Sequence, residues 1–340
     1  MLSNKKAPTR KDVADLAGVS ETIVSYVLNN NRYVAQEKRE KVLQAVAELN
    51  YHPSSIARAL KGKGTNNILF ICDNILNEHF GRIVDEMDRL TYNKEYLISL
   101  LRSRNDDRFI SQICMRSFDG IVISSTSFEE KYVLQLLDRG IPIVLLMNKN
   151  YHNVGNRAAK IYTGLYEGVK EAVRLLVGQG RKHIIYIDRV SARHRFSTME
   201  DWRYSGFITQ MQECQMRVSS ENIIVGYETE EQLMEGLTQR IQQGLRVDGV
   251  IGRNDELACV AMSTLQKCGL RIPEDVSVVG FDNSRISRYV TPGLSSVSID
   301  RAAIAEAVLD AFDSMLSGSN PPEIHLHSHL IERASSNFSL

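Results

Sequence analysis

Between Thr9 and Leu49 the apolar residues recur three and four positions apart, the period of one helical face. Thr9 fits an N-cap, with Asp12 three residues on, near the positive end of the helix dipole. The helix so begun, Arg10–Ala17, puts Val13, Leu16 and Ala17 on one face. Gly18 stops it, because glycine enters the left-handed region at little cost. Ser20 caps a second helix, Glu21–Leu28, with Ile23, Val24 and Val27 turned inward. Two short helices joined by Gly18-Val19-Ser20 make a helix-turn-helix, whose second helix enters the major groove of DNA. A third helix, about Gln36–Leu49, turns Val42, Ala45, Val46 and Leu49 to one side. The same pattern also suits a plain three-helix packing unit.

Behind Pro53 lies a short segment, Ser54–Lys61, which Ser54 or Ser55 can cap and which Gly62-Lys63-Gly64 ends as a linker. A helix this short is marginal alone in water and needs a partner, which DNA would supply. From Ile68 the pattern changes to apolar strands alternating with helical stretches. Strands are expected at Ile68–Cys72, Tyr96–Leu101, Gly120–Ile123 and Ile143–Leu146, then at His183–Ile187, Ile223–Gly226, Gly249–Ile251 and Val276–Val279. Such alternation implies parallel sheets with right-handed crossovers. The fold class is therefore α/β: an all-α helix-turn-helix headpiece followed by two doubly wound parallel-sheet subdomains. A ligand would sit at the carboxyl ends of the strands, in the cleft between lobes. The expected divisions are a headpiece at 1–53, a hinge helix and linker at 54–67, and an effector-binding and dimerisation domain at 68–340. Within the last, one lobe covers about 68–160, the other about 161–290, and the final segments cross between them.

Composition adds one asymmetry. The net charge of zero hides eleven Lys/Arg against six Asp/Glu in residues 1–64, and thirty against thirty-five in the rest. A basic end on an acidic body suits a polyanion at one end. The five cysteines are scattered and form no CxxC pair, so reduced, buried thiols are expected. No run of 18 apolar residues exists and the start shows no secretory signal, which predicts a cytoplasmic protein without a membrane partner.

The motifs together resemble the LacI/GalR family of transcriptional regulators. The resemblance rests on Lys11-Asp12-Val13-Ala14-Asp15-Leu16-Ala17-Gly18-Val19-Ser20, on Val24-Ser25, Val27-Leu28-Asn29, Arg39 and Val42, and on Tyr51-His52-Pro53 and Ala57-Arg58-Ala59-Leu60. It continues through Asp119-Gly120-Ile121-Val122, Gly180-Arg181-Lys182-His183-Ile184, Arg203-Tyr204-Ser205-Gly206-Phe207 and Asn254-Asp255-Glu256-Leu257-Ala258. It ends with Ile272–Asn283, Pro292 with Leu294–Val297, and Leu330–Ser335. The resemblance implies a periplasmic-binding-protein-like body, double-stranded operator DNA as partner, and a homodimer on a pseudo-palindromic site. No leucine-heptad tail follows the last motif, so a dimer is expected over a tetramer.

By the resemblance, Glu21, Thr22 and Tyr26 read bases. Thr22 can donate or accept at a base edge, and Glu21 either accepts from a cytosine amine or only favours the helix N-terminus. Tyr26 stands where many members carry Arg or His. Thr9, Lys11 and Ser25 fall at phosphate contacts, and Ser20, Asn29, Ser54 and Arg58 complete the DNA-facing set. Leu60, with Ala57 beside it, is implied as the wedge that a hinge helix drives into the minor groove. Ala35 replaces the usual Ser or Thr cap, a loss of ~1 kcal/mol.

For the effector, Arg203 offers a planar fork of donors for paired hydroxyls or a carboxylate. Asp282 offers a bidentate acceptor at a strand end, and Asn254 both donates and accepts. Asn254 can equally cap the helix behind it, and Asp282 a turn. Asp73, Asn77 and Phe80 after the first strand, and Ser124 after the third, complete the expected pocket. The only tryptophan, Trp202, suits core packing better than stacking on a sugar. Family members often carry an Asp-Asn pair where this chain reads Ile161-Tyr162-Thr163-Gly164-Leu165. The expected effector is a sugar or sugar derivative; the basic loop Arg189, Arg193, His194 and Arg195 makes an anionic one the sharper alternative.

Enzymatic readings find little. The first strand ends Ile71-Cys72-Asp73-Asn74 without GxGxxG, and there is no Walker A, GxSxG or HExxH motif. His325, His327 and His329 alternate along one expected strand, but without acid or Cys partners at ligand spacing no metal or cofactor is expected. A secreted sugar-binding protein would share the body, and the headpiece argues against it. A second regulator type stays open: Gly280–Ser287 looks somewhat like the catabolite control proteins, which answer to a phosphorylated protein partner.

Overall fold

Three helices build the N-terminal unit of the computed structural model, which describes residues 8–30, 32–52, 64–92 and 96–337. Helix α1, Arg10–Ala17, opens with a capping box in which Thr9 and Asp12 serve each other's backbone amides, and it closes on Gly18 at φ 65°. Helix α2, Glu21–Asn29, is capped by the Ser20 hydroxyl. Helix α3, Gln36–Glu48, starts after Ala35 with no side-chain cap. Val13, Ala17, Val24, Val27, Val42, Ala45 and Tyr51 form the small core they share. Leu16 does not join it: one turn from Val13 but off the α2–α3 seam, it stays 47% exposed. The hinge expected at Ser54–Lys61 lies outside the described residues.

The chain divides into two compact units, Met1–Thr65 and Asn66–Leu340. In the second unit the described residues form two six-stranded sheets. The first holds β1 (Asn67–Cys72), β2 (Leu97–Arg102), β3 (Gly120–Ser124), β4 (Ile143–Leu146), β5 (Ala159–Tyr162) and β11 (Glu323–His325). Their order is β11-β5-β4-β3-β1-β2 and every pairing is parallel. The second holds β6 (Ile184–Ile187), β7 (Ile223–Ile224), β8 (Gly249–Gly252), β9 (Ser277–Phe281), β10 (Ser295–Ile299) and β12 (Ser328–Ile331), ordered β12-β10-β9-β8-β6-β7. Here only the edge strand β12 runs antiparallel. β1, β3, β4, β6, β8 and β9 are buried along almost their whole length, as expected of strands covered on both faces by helices.

The chain passes between sheets three times, from β5 into helix Leu165–Gly178, from β10 into helix Arg301–Leu316, and from β11 to β12. Helix Arg301–Leu316 packs on helix Glu78–Thr91 of the first lobe. It lays Phe312 where Gly120 has no Cβ; an added one would stand 2.2 Å from the ring. β5 straddles the expected division at residue 160. Its continuation, where the family's acidic pair is common, is a crossover: Gly164, at φ 77°, lies against Ser328, whose hydroxyl donates to the Gly164 carbonyl at 2.7 Å. The three alternating histidines do not share a strand, because His325 ends β11 in one sheet and His329 lies in β12 of the other. Among the described residues no cluster of side chains fits a metal, and no helix is long and apolar enough to cross a membrane.

Candidate DNA-reading face and inter-lobe cleft

In the first unit, Val24 and Val27 anchor one side of α2 in the core and leave the other free. Glu21 and Thr22 are exposed on that side, and Tyr26 is half-buried. Arg32 stacks over the Tyr26 ring, 5.3 Å from its centroid, so a cation accompanies the aromatic face. Asn29 donates to the Ser25 carbonyl at 2.6 Å and its hydroxyl at 3.1 Å, which fixes both side chains. Thr9 and Ser20 spend their hydroxyls on caps, whereas Lys11 is exposed. Ser54, Ala57, Arg58 and Leu60 lie outside the described residues.

The second unit carries a cavity of about 600 Å³ where its two sheets present their carboxyl ends. In each sheet the strand order reverses at one place, between β1 and β3 and between β6 and β8. The loops after those strands diverge and leave a crevice. The first lobe contributes Asp73 after β1 and Thr126 and Ser127 after β3; the second contributes Arg189 after β6 and Arg253 and Asn254 after β8.

Asp73 is saturated from its own lobe. Its carboxylate accepts from Ser127 Oγ at 2.6 Å, Thr126 N at 2.9 Å, Thr126 Oγ1 at 3.1 Å and Ser103 Oγ at 3.1 Å, and also from Ser125 Oγ. Burial pushes its pKa up, but these donors outweigh that and hold the carboxyl low. Asp73 therefore organises a hydroxyl collar at the cavity floor.

Asp201 plays the matching part in the other lobe. It caps helix Trp202–Glu213 through Arg203 N and accepts from Arg189 Nη2 at 2.7 Å and Arg253 Nη2 at 2.6 Å. Against the burial that would raise it, the two guanidiniums hold its carboxyl at about 2. Asp188 receives Ser197 N and Oγ at 2.8 and 2.6 Å and faces Arg253 at 3.8 Å.

Arg203 donates through Nη2 to Asp282 Oδ1 at 2.9 Å and stacks over Phe281, 4.5 Å from its centroid. Its Nε is buried without a hydrogen-bond partner. Asp282 sits at φ 95°, a conformation that L side chains seldom adopt, and Arg301 donates to its carbonyl. Strain of this kind is held in place by surroundings and clusters where ligands are clamped. Burial raises the Asp282 carboxyl, and Arg203, His79 and Arg301 more than reverse it. His79, from the first lobe, turns Nδ1 toward Asp282 at 3.9 Å and makes no hydrogen bond there. Burial drops its pKa to about 4, so the ring is neutral at neutral pH.

Of the expected effector residues, Asp73, Asn77, Phe80, Arg203, Asn254 and Asp282 line this one cavity. Asn77 and Asn254 also cap helices, through His79 N and Leu257 N. Ser124 does not line it. As the last residue of β3 it is buried, and it accepts from Asn148 Nδ2 at 3.0 Å, so that Asn148 meets the cavity in its place. Trp202 is not in the lining; its ring meets Tyr162 and Tyr166 edge to face. Sequence reasoning passed over His79, Arg253, Asp188 and Asp201. The first residue after each switch-point strand was the available signal, and it points to Asp73, Ser125, Asp188 and Arg253.

The lobes meet through backbone as well as side chains: Trp202 N donates to the Asn148 carbonyl at 3.2 Å and Asn150 N to the Glu200 carbonyl at 3.3 Å. Arg189 Nη1 donates to Thr126 Oγ1 at 2.7 Å, Arg195 Nη1 to the Ser127 carbonyl at 3.2 Å, and the Arg285 amide to Glu78 Oε2 at 3.0 Å.

Residues 9–54 match the family model described as bacterial regulatory proteins, lacI family, and residues 173–336 match a periplasmic binding protein-like domain. The chain is 31% identical, over 96% of both chains, to the HTH-type transcriptional repressor PurR of Pectobacterium atrosepticum, and 30% identical, at the same coverage, to that of Proteus mirabilis. Among solved structures, the lac repressor dimer bound to operator and the anti-inducer ONPF overlays with a TM-score of 0.81 at 21% identity, covering 97% of this chain and 99% of that one. A CelR–cellobiose complex overlays at 0.69 with 21% identity, covering 96% and 99%.

Proposed function

From a chain that belongs to the lacI family of bacterial regulatory proteins, and so is a DNA-binding transcriptional repressor with a ligand-binding domain, we propose a repressor that grips a pseudo-palindromic operator as a homodimer and answers to a sugar or sugar derivative in the inter-lobe cleft. One observation carries the effector reading. The Arg203–Asp282 pair stands in the cavity wall with a guanidinium Nε unsatisfied, a planar donor beside a bidentate acceptor. Adjacent sugar hydroxyls each donate and accept, and so engage both. Phe80 adds an aromatic face for the C–H side of a ring. The CelR–cellobiose complex, a neighbour of the same fold, supports this class.

A dimer suits the edge strand β2, where Leu97 is 68% exposed. The DNA-reading set is Glu21, Thr22 and Tyr26 on α2, with Lys11 and Ser25 on phosphates. Residues 54–67 act as a conditional hinge whose Leu60 wedges the minor groove. The effector works by population shift: it moves the lobes only as far as its affinity differs between their two arrangements.

A thermal-shift screen of the purified chain against sugars, sugar acids, sugar phosphates and nucleobases, followed by operator binding with each hit, tests the reading. A hit that changes operator affinity, and whose effect Arg203→Ala abolishes, is the expected result. Hits insensitive to Arg203→Ala would sink the cleft assignment.

A second reading has its own observation. Arg82, Arg285, Arg288, Arg301 and an exposed Tyr289 border a depression of about 440 Å³ with Glu78, Asp85 and Glu86, four cations against three acids, and Arg288, which has no acid partner among the ion pairs of the described residues, is the cation a phosphorylated protein partner would meet. Co-purification with a phosphorylated carrier protein, lost on Arg288→Ala, separates the two.

A further inference from the structure

Inside the cleft, each guanidinium has its carboxylate: Arg253 and Arg189 meet Asp201, and Arg203 meets Asp282. At the outer rim this matching stops. Arg102 ends β2 and Arg104 follows it in the first lobe, while Arg193 and Arg195 stand in the loop after β6 in the second. With Asn105 and Asp106 they line a depression of about 410 Å³. Arg102, Arg193 and Arg195 line the main cavity as well, so the rim opens directly into it.

Among the described residues, the only carboxylate lining the rim is Asp106, and its Oδ1 is committed to the Phe109 amide at 2.7 Å as a helix cap. Arg195 gives one nitrogen to the Ser127 carbonyl. His194, between the two loop arginines, turns instead to Glu228 at 3.0 Å. Four exposed cations thus converge from two lobes around one concavity against a single lining carboxylate, Asp106. Like charges gathered around one concavity repel, and that repulsion opposes closure unless an anion enters. Planar guanidinium forks match phosphate oxygens two at a time, and a phosphate accepts several such forks at once.

We propose that this rim is a phosphate-binding site that spans the cleft, with Arg102 and Arg104 holding the anion from one lobe and Arg193 and Arg195 from the other. The phosphate is either a group on the effector, in which case the site rests on the cleft reading above, or a free di- or polyphosphate. Binding it ties the lobes together at their mouth, and so favours the closed arrangement.

The test is thermal-shift titration of the full chain at constant ionic strength with pyrophosphate, and with glucose 6-phosphate and ribose 5-phosphate beside the unphosphorylated sugars. The wild-type chain is compared with Arg102→Ala/Arg193→Ala, which removes one exposed cation from each lobe. Arg102→Gln/Arg193→Gln serves if circular dichroism shows the alanine pair misfolded. A phosphorylated ligand should stabilise the wild-type chain, and the double variant should need ~10- to 100-fold more of it for the same shift, as lost charge-assisted hydrogen bonds imply. Response to sugar phosphates alone assigns the phosphate to the effector; response to pyrophosphate assigns a free anion; either supports the site. Equal responses in wild type and variant, or no response to any phosphate, overturn it. If neutral sugars still stabilise the chain and Arg203→Ala removes that shift, the cleft reading stands and only the rim site falls.

Discussion

Arg189 Nη1, from the second lobe, donates to Thr126 Oγ1, in the first, at 2.7 Å. The same hydroxyl donates to Asp73 Oδ2 at 3.1 Å, and the other end of the guanidinium meets Asp201 Oδ2 at 2.7 Å. Two carboxylates, one in each lobe, are therefore joined through a single Thr–Arg contact. Because Arg189 is nearly buried, that contact is shielded from solvent in a way that a surface ion pair is not.

Thr126→Val keeps the shape of the side chain and removes the hydroxyl. It should cost about 1–3 kcal/mol, since a buried guanidinium N–H and a buried carboxylate oxygen each lose a partner. For a unit of this size that means a fall of roughly 2–10 °C in Tm. Small-angle scattering of the unliganded chain should show a larger radius of gyration. An unchanged radius together with an unchanged Tm would remove the latch.

Two buried groups make stability depend on pH in opposite directions. The His79 pKa is depressed from 6.5 to about 4 by burial, so the unfolded chain takes up a proton first as pH falls, and stability is lost from about pH 6.5 downward. Asp255 is raised from 3.8 to about 6, again by burial, with the Asp282 charge adding to it against the Ser296 and Ser284 hydrogen bonds. The folded chain protonates first there, so Asp255 favours folding increasingly as pH falls from about 6 to 4. Between pH 7 and 5, His79→Gln should remove about 2 kcal/mol of acid-induced loss. Asp255→Asn should instead steepen that loss. Urea melts at the two pH values, in which both variants follow the wild-type slope, would refute this pairing.

On DNA, Lys11 and Glu21 should fail differently. Lys11→Ala should weaken binding about equally on operator and random DNA and reduce the salt slope by about 1. Glu21→Gln should leave random DNA alone and change which base is tolerated at one position, by ~1–3 kcal/mol of discrimination. Binding-site selection that returns the wild-type site for Glu21→Gln would leave this glutamate only as a companion to the helix dipole.

The headpiece was readable because its signals are local. Thr9, Asp12, Gly18 and Ser20 act within four residues of themselves, and each forms the cap expected of it. The missing cap at Ala35 was equally visible. β10 was not, because Ser295-Ser296-Val297-Ser298-Ile299 reads as polar. Its serines are buried through partners far along the chain: Ser295 Oγ donates to the Arg333 carbonyl at 2.9 Å and Ser296 Oγ to Asp255 at 2.5 Å. β5 escaped, and β11 and β12 read as one strand through the alternating histidines, for a related reason: these are short edge or near-edge strands with only partial burial. The candidate cleft followed the same division. Arg203, Asn254 and Asp282 could be named from motifs, whereas Arg253 and Asp201 gain their role only once β6 and β8 lie side by side.

The placement of β11 and β12 in different sheets bears on biosynthesis. Each lobe takes an edge strand from residues 323–331, and the first also takes helix Arg301–Leu316, whose Phe312 covers Gly120. Vectorial, lobe-by-lobe folding on the ribosome is the usual course for a multidomain chain. Here neither sheet is complete until that last stretch has emerged. Both halves of the sensor then finish together, and a protease cut between β10 and β11 would strip strands from both lobes at one stroke.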